Sequence, residues 1–299
     1  MSIKEFSVLM MVCLLWGFHF IVMKVTVGHT AEPLFYAALR MTIVAVLLIP
    51  RLKWHTGSML FILIAGLGYG GLNYAFMFPA MQMTTASAAA IAIELYVPFA
   101  IILSVLFLGE RIGPYRIGGI CLAFLGVIII ATAKPDETAG PLFILGIILM
   151  SFAAMSEAVG AIFVKKVKGV APLDLLAWFA LIGAAVLWPL SAFIESDQLN
   201  AFAPQNRVNF ILALGYSAIA VSLVAHSCYY WLLQRLPIYV VSTSGLMTTV
   251  VAITASVIIL GENVTPQLII GAAMTLLGVS FILYSRANRT AKSQSVTEN

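Results

Sequence analysis

The sequence predicts an all-α integral membrane protein whose ten transmembrane helices form two inverted five-helix repeats around a central cavity. Two observations predict this fold class. The first is composition, because 62% of the 299 residues are hydrophobic and only 9% are charged, whereas soluble domains are about 45–50% apolar and about 25% charged. A chain this apolar requires lipid as its solvent. The second observation is a motif that occurs once in each half of the chain.

Apolar stretches long enough to cross a bilayer follow one another along almost the whole sequence and leave no room for a soluble catalytic domain. Backbone polar groups in hydrocarbon must pair within the chain, and these stretches lack the alternating pattern of barrel strands, so we predict helices. Turn formers and charged residues separate the stretches. The ten predicted spans are 6–27, 33–50, 59–80, 85–107, 115–133, 141–164, 173–194, 208–233, 238–260 and 266–285.

The distribution of basic residues predicts the orientation of these helices in the membrane. With the N-terminus in the cytoplasm, twelve Lys and Arg side chains fall on the inner side, whereas only Lys24, Lys134 and Arg207 fall on the outer side. We therefore expect both termini in the cytoplasm and a bacterial-type inner membrane as the location. The polar tail, residues 287–299, is expected to be disordered. The net charge of +4 is typical of such cytoplasmic loops, so no nucleic-acid partner is predicted.

The repeated motif appears when residues 107–131 are compared with residues 259–283 at an offset of 152 positions. We therefore predict a first repeat of residues 1–134 and a second of residues 135–286. Because each repeat has an odd number of helices, the second is inverted, which is a recurrent build of secondary transporters with a substrate site near the middle of the bilayer. The matched pairs include Gly109 with Gly261, Glu110 with Glu262, Pro114 with Pro266, Gly119 with Gly271 and Gly126 with Gly278.

Several short motifs carry a resemblance to a known family. They are Leu-Leu-Trp-Gly at 14–17, Arg40 in the second helix, the two Leu-Gly-Glu endings with their following prolines, and Pro98 within the fourth helix. With these motifs, the whole chain resembles the EamA-type branch of the drug/metabolite transporter superfamily, and it looks most like the YddG-type exporters of amino acids. The resemblance implies a central cavity and alternating access. Val250 stands where the second repeat would match Pro98, so the hinge expected at Pro98 has no equivalent in helix 9.

Charged side chains inside a span cost at least about 2.5–3.5 kcal/mol, so they are candidates for function or for buried pairs. Arg40 lies too deep in its helix to reach the surface fully. It either forms a packed ion pair or clamps backbone carbonyls, or it anchors an anion or carboxylate in the cavity. Glu94 is the expected partner in both cases. Trp16 and His19 share one face of helix 1, where they either pack structurally or face a substrate.

The predicted substrate site combines aromatic and polar side chains from both repeats. Glu94 precedes Pro98 by four residues, and the missing N–H of the proline frees the Glu94 carbonyl, as expected for a helix that lines a cavity. Protonation of Glu94 is a hypothesis for coupling transport to a proton gradient. The predicted substrate-binding residues are Trp16, His19, Asn73, Tyr74, Glu94, Glu157, His226, Tyr229 and Ser244.

Two further motifs are assigned to architecture. The glycines of residues 66–71 resemble a nucleotide-binding loop only superficially, because no strand precedes them, and close helix packing is the better interpretation. Glu110 and Glu262 are expected to cap the helices that begin at the prolines following them.

Other classes of protein fit the sequence poorly. A rhomboid-type protease needs Gly-x-Ser-Gly, whereas residues 242–245 read Ser-Thr-Ser-Gly, and the chain has no phosphate-binding Gly-x-x-x-x-Gly-Lys-Ser/Thr loop. The three cysteines lack paired spacing, and no cofactor or metal is predicted. We expect not an enzyme but a secondary transporter that exports small amphipathic metabolites, amino acids first. A carrier of nucleosides or drug-like molecules and a passive channel are the alternatives.

Overall fold

The computed structural model describes residues 1–109, 112–133, 141–233, 235–236 and 238–297, and the regular structure of this part is entirely helical. Besides two short 3₁₀ turns, Ile49–Arg51 and Gln198–Phe202, the described residues form ten helices, some of which change geometry along their length. They are Ile3–His29 (helix 1), Pro33–Leu47 (helix 2), Met59–Gly66 with Leu67–Leu72 and Asn73–Met83 (helix 3), Ala86–Ala92 with Ile93–Leu95 and Tyr96–Leu108 (helix 4), Pro114–Ala131 (helix 5), Phe143–Val164 (helix 6), Pro172–Ile194 (helix 7), Arg207–Gly215 with Tyr216–Ala225 and His226–Leu233 (helix 8), Ile238–Ala255 with Ser256–Leu260 (helix 9) and Pro266–Thr297 (helix 10).

The predicted all-helical membrane fold is confirmed. Within the described residues, nine helices are long and apolar enough to span a membrane, and helix 2 is a tenth, shorter apolar helix. Helix 10 continues to Thr297, into the tail for which the sequence predicted disorder. The tail has no Gly or Pro to end the helix, and adding residues to an existing helix avoids the cost of nucleation.

Four helices contain irregular turns that the sequence did not predict, among them helix 9, which widens to a π-helix over Ser256–Leu260. Helix 3 widens to a π-helix over Leu67–Leu72, and helix 8 does so over Tyr216–Ala225. When the first stretch is shifted by the 152 positions that relate the repeats, it falls within the second. Helix 4 tightens to a 3₁₀ turn over Ile93–Leu95. This turn lies just before Pro98, which lacks the N–H that would bond the Glu94 carbonyl. Irregular turns of the π type are rare and are frequent at functional sites.

The crossing of helices 5 and 10 shows how the two halves of the chain are related. A Cβ built on Gly119 would lie 2.7 Å from the Gly278 carbonyl oxygen, and one on Gly278 would lie 2.5 Å from the Gly119 oxygen. Gly126 and Gly271 make the same reciprocal contact at 2.6 and 2.5 Å. Since Gly119 is equivalent to Gly271 and Gly126 to Gly278, each contact is repeated between the equivalent residues, as two-fold symmetry requires. The contacts run antiparallel, so the repeats are inverted.

Glycines of helix 3 allow its backbone to touch two neighbouring helices. A Cβ on Gly68 would lie 2.6 Å from the carbonyl oxygen of Ser156 in helix 6, and one on Gly70 would lie 2.0 Å from that of Phe179 in helix 7. Small residues at helix contacts are how membrane helices approach closely. The interpretation of residues 66–71 as a packing motif is therefore confirmed.

A glutamate in the loop before helix 10 caps a helix of the other repeat. The carboxylate oxygens of Glu262 accept hydrogen bonds from the backbone N–H groups of Ala86 and Ser87, at 2.6 and 3.0 Å. The expectation that Glu262 caps helix 10 is wrong, because the Thr265 hydroxyl accepts from the backbone of Leu268 and caps that helix instead. Glu110, expected to play the same role for helix 5, lies outside the described residues.

Glu195 caps helix 2 in the same way as Glu262 caps helix 4. Its oxygens accept from the N–H groups of Leu34 and Phe35 at 2.6 and 2.9 Å. A carboxylate in this position satisfies N–H groups that have no partner within the helix and faces the positive end of the helix dipole. Glu32 also adjoins the start of helix 2, but its side chain makes no capping bond.

Replacing Glu195 by glutamine is expected to lower the thermal stability of the protein by about 1–2 kcal/mol, the cost of a lost helix cap. Glu32→Gln is the matched control. Burial is the main cause that raises the pKa of Glu32, and the nearby carboxylates of Glu195 and Asp197 raise it further. Ionisation of Glu32 as pH rises therefore disfavours the folded state. Removing that charge should leave stability unchanged or increase it. Equal losses in thermal unfolding at neutral pH would show that Glu195 does not act as a cap.

Candidate functional site

Buried and half-buried polar and aromatic side chains of several helices from both repeats form one group, which we call the central cluster. It has a basic part around Arg40, an acidic part around Glu94 and Glu157, and aromatic rings beside them. The side chains come from helices 1, 2, 3 and 4 of the first repeat and from helices 6, 8 and 9 of the second. The cluster therefore depends on the packing of both repeats. Its members are Trp16, His19, Tyr36, Arg40, Asn73, Tyr74, Glu94, Glu157, Ser217, Ser222, His226, Tyr229 and Thr249.

Arg40 is the most deeply buried charge of the basic part, with 2% of its surface exposed. Its Nε donates to the Ser222 hydroxyl at 3.1 Å, and its Nη1 lies 3.3 Å from Nε2 of His19. The guanidinium carbon lies 5.0 Å from the ring centre of Tyr74, a cation–π contact. Because guanidinium can only donate, Nε2 of His19 accepts, which assigns the ring proton to Nδ1.

The expected pairing of Arg40 with Glu94 is wrong. No carboxylate in the described part of the chain lies within ion-pair distance of Arg40. The physical reason is that the two side chains point towards different helices. Arg40 in helix 2 contacts helices 1, 3 and 8, whereas Glu94 in helix 4 contacts helix 9. Arg40 is therefore held by neutral partners alone.

Tyr36 and Ser217 support the basic part, although the sequence interpretation missed both. The Tyr36 hydroxyl donates to the Ala213 carbonyl at 2.9 Å and also contacts the Ser217 hydroxyl. Ser217 lies 3.1 Å from Nε2 of His19. Tyr36 precedes Arg40 by four residues and shares its helix face, which is the signal that could have identified it.

The acidic part contains two carboxylates on different helices, of which Glu94 is buried and Glu157 is half-buried. Glu94 is 8% exposed and accepts a hydrogen bond from the Thr249 hydroxyl at 2.7 Å. Glu157 accepts from the side-chain amide of Asn73 at 3.3 Å, and the same amide donates to the Ala153 carbonyl. The two carboxylates are close enough to repel each other electrostatically. Among the described residues, neither forms an ion pair with Lys or Arg.

An aromatic wall connects the two parts. The ring of Trp16 lies 5.3 Å from that of His226 and 5.2 Å from that of Tyr229. The Nδ1 atom of His226 lies 2.9 Å from the Val221 carbonyl oxygen within the π-helical stretch of helix 8. His226 interacts electrostatically with Arg40, and Tyr229 interacts with Glu157. The wall therefore extends from the basic part to the acidic part.

One predicted site residue lies apart from the cluster contacts. Ser244 is buried, and its backbone carbonyl faces the Cys13 thiol of helix 1 at 3.6 Å. The next residue of helix 9, Gly245, faces Glu94, because a Cβ on this glycine would lie 3.3 Å from the Glu94 Oε1. Thr249, rather than Ser244, bonds Glu94. The other predicted residues, Arg40 included, come together as described above.

The ten apolar helices, their inverted repeats and their buried polar centre define an all-helical membrane protein of the transporter type. Sequence comparison then gives the family. Residues 4–132 and 144–284 match the EamA-like transporter family, and the chain belongs to that family, within the drug/metabolite transporter superfamily. It is therefore a membrane transporter and not an enzyme.

Curated relatives match almost the whole chain. A protein of Salmonella typhimurium named "Probable amino-acid metabolite efflux pump" is 27% identical over 98% of this chain and 99% of its own length. A protein of Escherichia coli with the same name is 28% identical over 93% of this chain and 94% of its own length. A solved crystal structure of a protein superimposes with a TM-score of 0.60 at 16% identity, over 94% of this chain and 96% of that one. This last likeness concerns the fold.

Proposed function

We propose that this protein is a secondary transporter that exports small amphipathic metabolites, amino acids first, across a bacterial inner membrane by alternating access. The observation that carries the proposal is the central cluster. In it a buried guanidinium, a buried carboxylate and a half-buried carboxylate have only neutral partners among the described residues. Buried charges are costly unless they are paired, so their presence between inverted repeats favours a substrate that supplies the missing charges.

The comparisons support the same substrate class. Both named relatives are efflux pumps for amino-acid metabolites by name, and the resemblance to YddG-type exporters points to aromatic amino acids among the substrates. The excess of Lys and Arg on one side supports cytoplasmic termini. In that orientation the loop between helices 1 and 2, residues 30–32, faces the outside. Export then runs from the membrane face that bears the termini to the face that bears this loop.

The direct test is radiolabel efflux from bacterial cells that overexpress the chain, screened against the twenty amino acids. We expect faster efflux of at least one amino acid with a large apolar side chain than from cells with an empty vector. A chain with Arg40→Gln should be produced at a similar level and lose the added efflux. If no amino acid leaves faster in the overexpressing cells, the proposal fails.

Counterflow in proteoliposomes separates a carrier from a passive channel. A carrier loaded with unlabelled amino acid should accumulate labelled amino acid transiently against its gradient, whereas a channel only equilibrates it. Competition by nucleosides or drug-like cations, with no effect of amino acids, would assign the site to the alternative substrates instead.

A further inference from the structure

We infer that the central cluster is a bipolar site that binds an α-amino acid as a zwitterion, with its carboxylate at Arg40 and its ammonium group at Glu157. This inference rests on the proposed function and deepens it, because an amphipathic metabolite need not carry both charges. It assigns a role to each part of the cluster. Such a site would select substrates by their charges as well as by their apolar surface.

The basic part has a hydrogen-bond donor left over for an anionic group. Of the three guanidinium nitrogens of Arg40, Nε and Nη1 have hydrogen-bond partners, and Nη2 has none among the described residues. The side chain is 2% exposed, so lipid and bulk water contribute little to stabilising its charge. A carboxylate is the natural partner, because charge-assisted hydrogen bonds from guanidinium to carboxylate are among the strongest in proteins.

The acidic part is complementary to a cation. Glu157 accepts one hydrogen bond from Asn73, and Glu94 accepts one from Thr249. Each carboxylate retains further acceptor capacity, and the repulsion between the two is relieved when a cation lies beside them. An ammonium group offers three donors and a positive charge in a small volume.

Helix 3 contributes one residue to each of the two parts. Arg40 lies over the ring of Tyr74, and Glu157 is bonded to Asn73. Asn73 and Tyr74 are consecutive residues of helix 3, whose Cα atoms are about 3.8 Å apart. Both charged parts therefore contact the same short segment of helix 3. An α-amino acid, which carries its two charges on groups attached to a single carbon atom, could engage both of them.

The aromatic wall fits the side chain of such a substrate. Trp16 contacts both His226 and Tyr229, and these two rings interact with Arg40 and Glu157 respectively. An apolar or aromatic side chain that leaves the α-carbon can therefore pack on Trp16 while both charges remain bound. This arrangement favours large apolar amino acids over small polar ones.

The test is the binding of three ligands of nearly equal size to the purified full chain in detergent, measured by calorimetry. The ligands are L-phenylalanine, phenethylamine, which lacks the carboxylate, and 3-phenylpropionate, which lacks the ammonium group. We expect phenylalanine to bind at least about tenfold more tightly than either analogue, as the loss of one charge-assisted contact predicts. Arg40→Gln should abolish the preference over phenethylamine, and Glu157→Gln should abolish the preference over 3-phenylpropionate.

The outcomes separate this inference from the proposed function. If phenylalanine binds no more tightly than both analogues, the bipolar site is refuted, even where amino-acid efflux is observed in cells. If a variant does not fold, as judged by size-exclusion chromatography, the comparison of the three ligands on the unmodified chain decides alone. If efflux of every amino acid is absent, the proposed function fails first, and the inference fails with it.

Discussion

Alanine at Gly70 is expected to destabilise the protein by about 3 kcal/mol or more, at the upper end of the range for overpacked positions. The added Cβ would lie 2.0 Å from the carbonyl oxygen of Phe179 and 2.8 Å from its carbonyl carbon. Both are backbone atoms of helix 7, so no side-chain rotation relieves the contact. A Cβ on Gly183 would in turn lie 2.5 Å from the Gly70 oxygen, which shows that the two backbones are in direct contact there. Thermal unfolding in detergent measures the loss.

Gly118→Ala is the matched control for this substitution. Gly118 is also helical and exposed, and a Cβ there would meet nothing within 4 Å. Because alanine forms helix better than glycine, the control should be neutral or slightly stabilising. A similar loss of stability in both variants would mean that the glycine contacts between helices 3 and 7 do not limit the packing.

The fold could be predicted from the sequence because its determinants are local or periodic. Apolar stretches identify the spans without knowledge of their neighbours. The equivalence of Gly119 and Gly126 with Gly271 and Gly278 was visible as a repeat, and the same four glycines form the reciprocal crossing of helices 5 and 10. What the repeat could not show is that these glycines contact one another, since sequence equivalence says nothing about distance.

The contacts of the site were harder to predict, and Ser217 and Ser222 show why. Five residues apart, they lie about 140° apart around an α-helix, given 3.6 residues per turn, and would face different neighbours. In the structure they lie in the π-helical stretch of helix 8, where the Ser222 hydroxyl donates to the Ser217 carbonyl at 3.0 Å. The wider turn brings both towards helices 1 and 2, where Ser217 meets His19 and Ser222 meets Arg40.

The partner of Arg40 was mispredicted for a related reason. Depth along a helix can be counted from its ends, and both Arg40 and Glu94 are deep. The direction in which each side chain points depends on how the helices rotate against each other. Glu94 lies in a 3₁₀ turn, which shifts its position around the axis relative to a continuous α-helix. The sequence therefore identified the charged residues of the cluster but not their pairing.

Replacing Glu94 by glutamine is expected to slow transport by about tenfold or more, which corresponds to about 1.4 kcal/mol of activation free energy. It is also expected to flatten the dependence of transport on pH. Glutamine has nearly the same shape and still accepts the hydrogen bond from Thr249, but it can neither lose nor gain a proton. The titratable groups close to Glu94 are Glu157 of helix 6 and, beyond it, Tyr229 of helix 8.

The physical reason is the cost of two like charges in one buried site. Burial of an unpaired charge costs several kcal/mol, so when no substrate ammonium group is bound, a proton on one carboxylate removes the repulsion between Glu94 and Glu157. We therefore expect the return of the empty carrier to take a proton with it, so that the proton gradient drives transport. Glu32→Gln makes the same chemical change outside the cluster and should keep the pH profile of the unmodified chain. Should Glu94→Gln keep that profile too, in proteoliposomes with an imposed pH gradient, Glu94 is not the group that couples transport to protons.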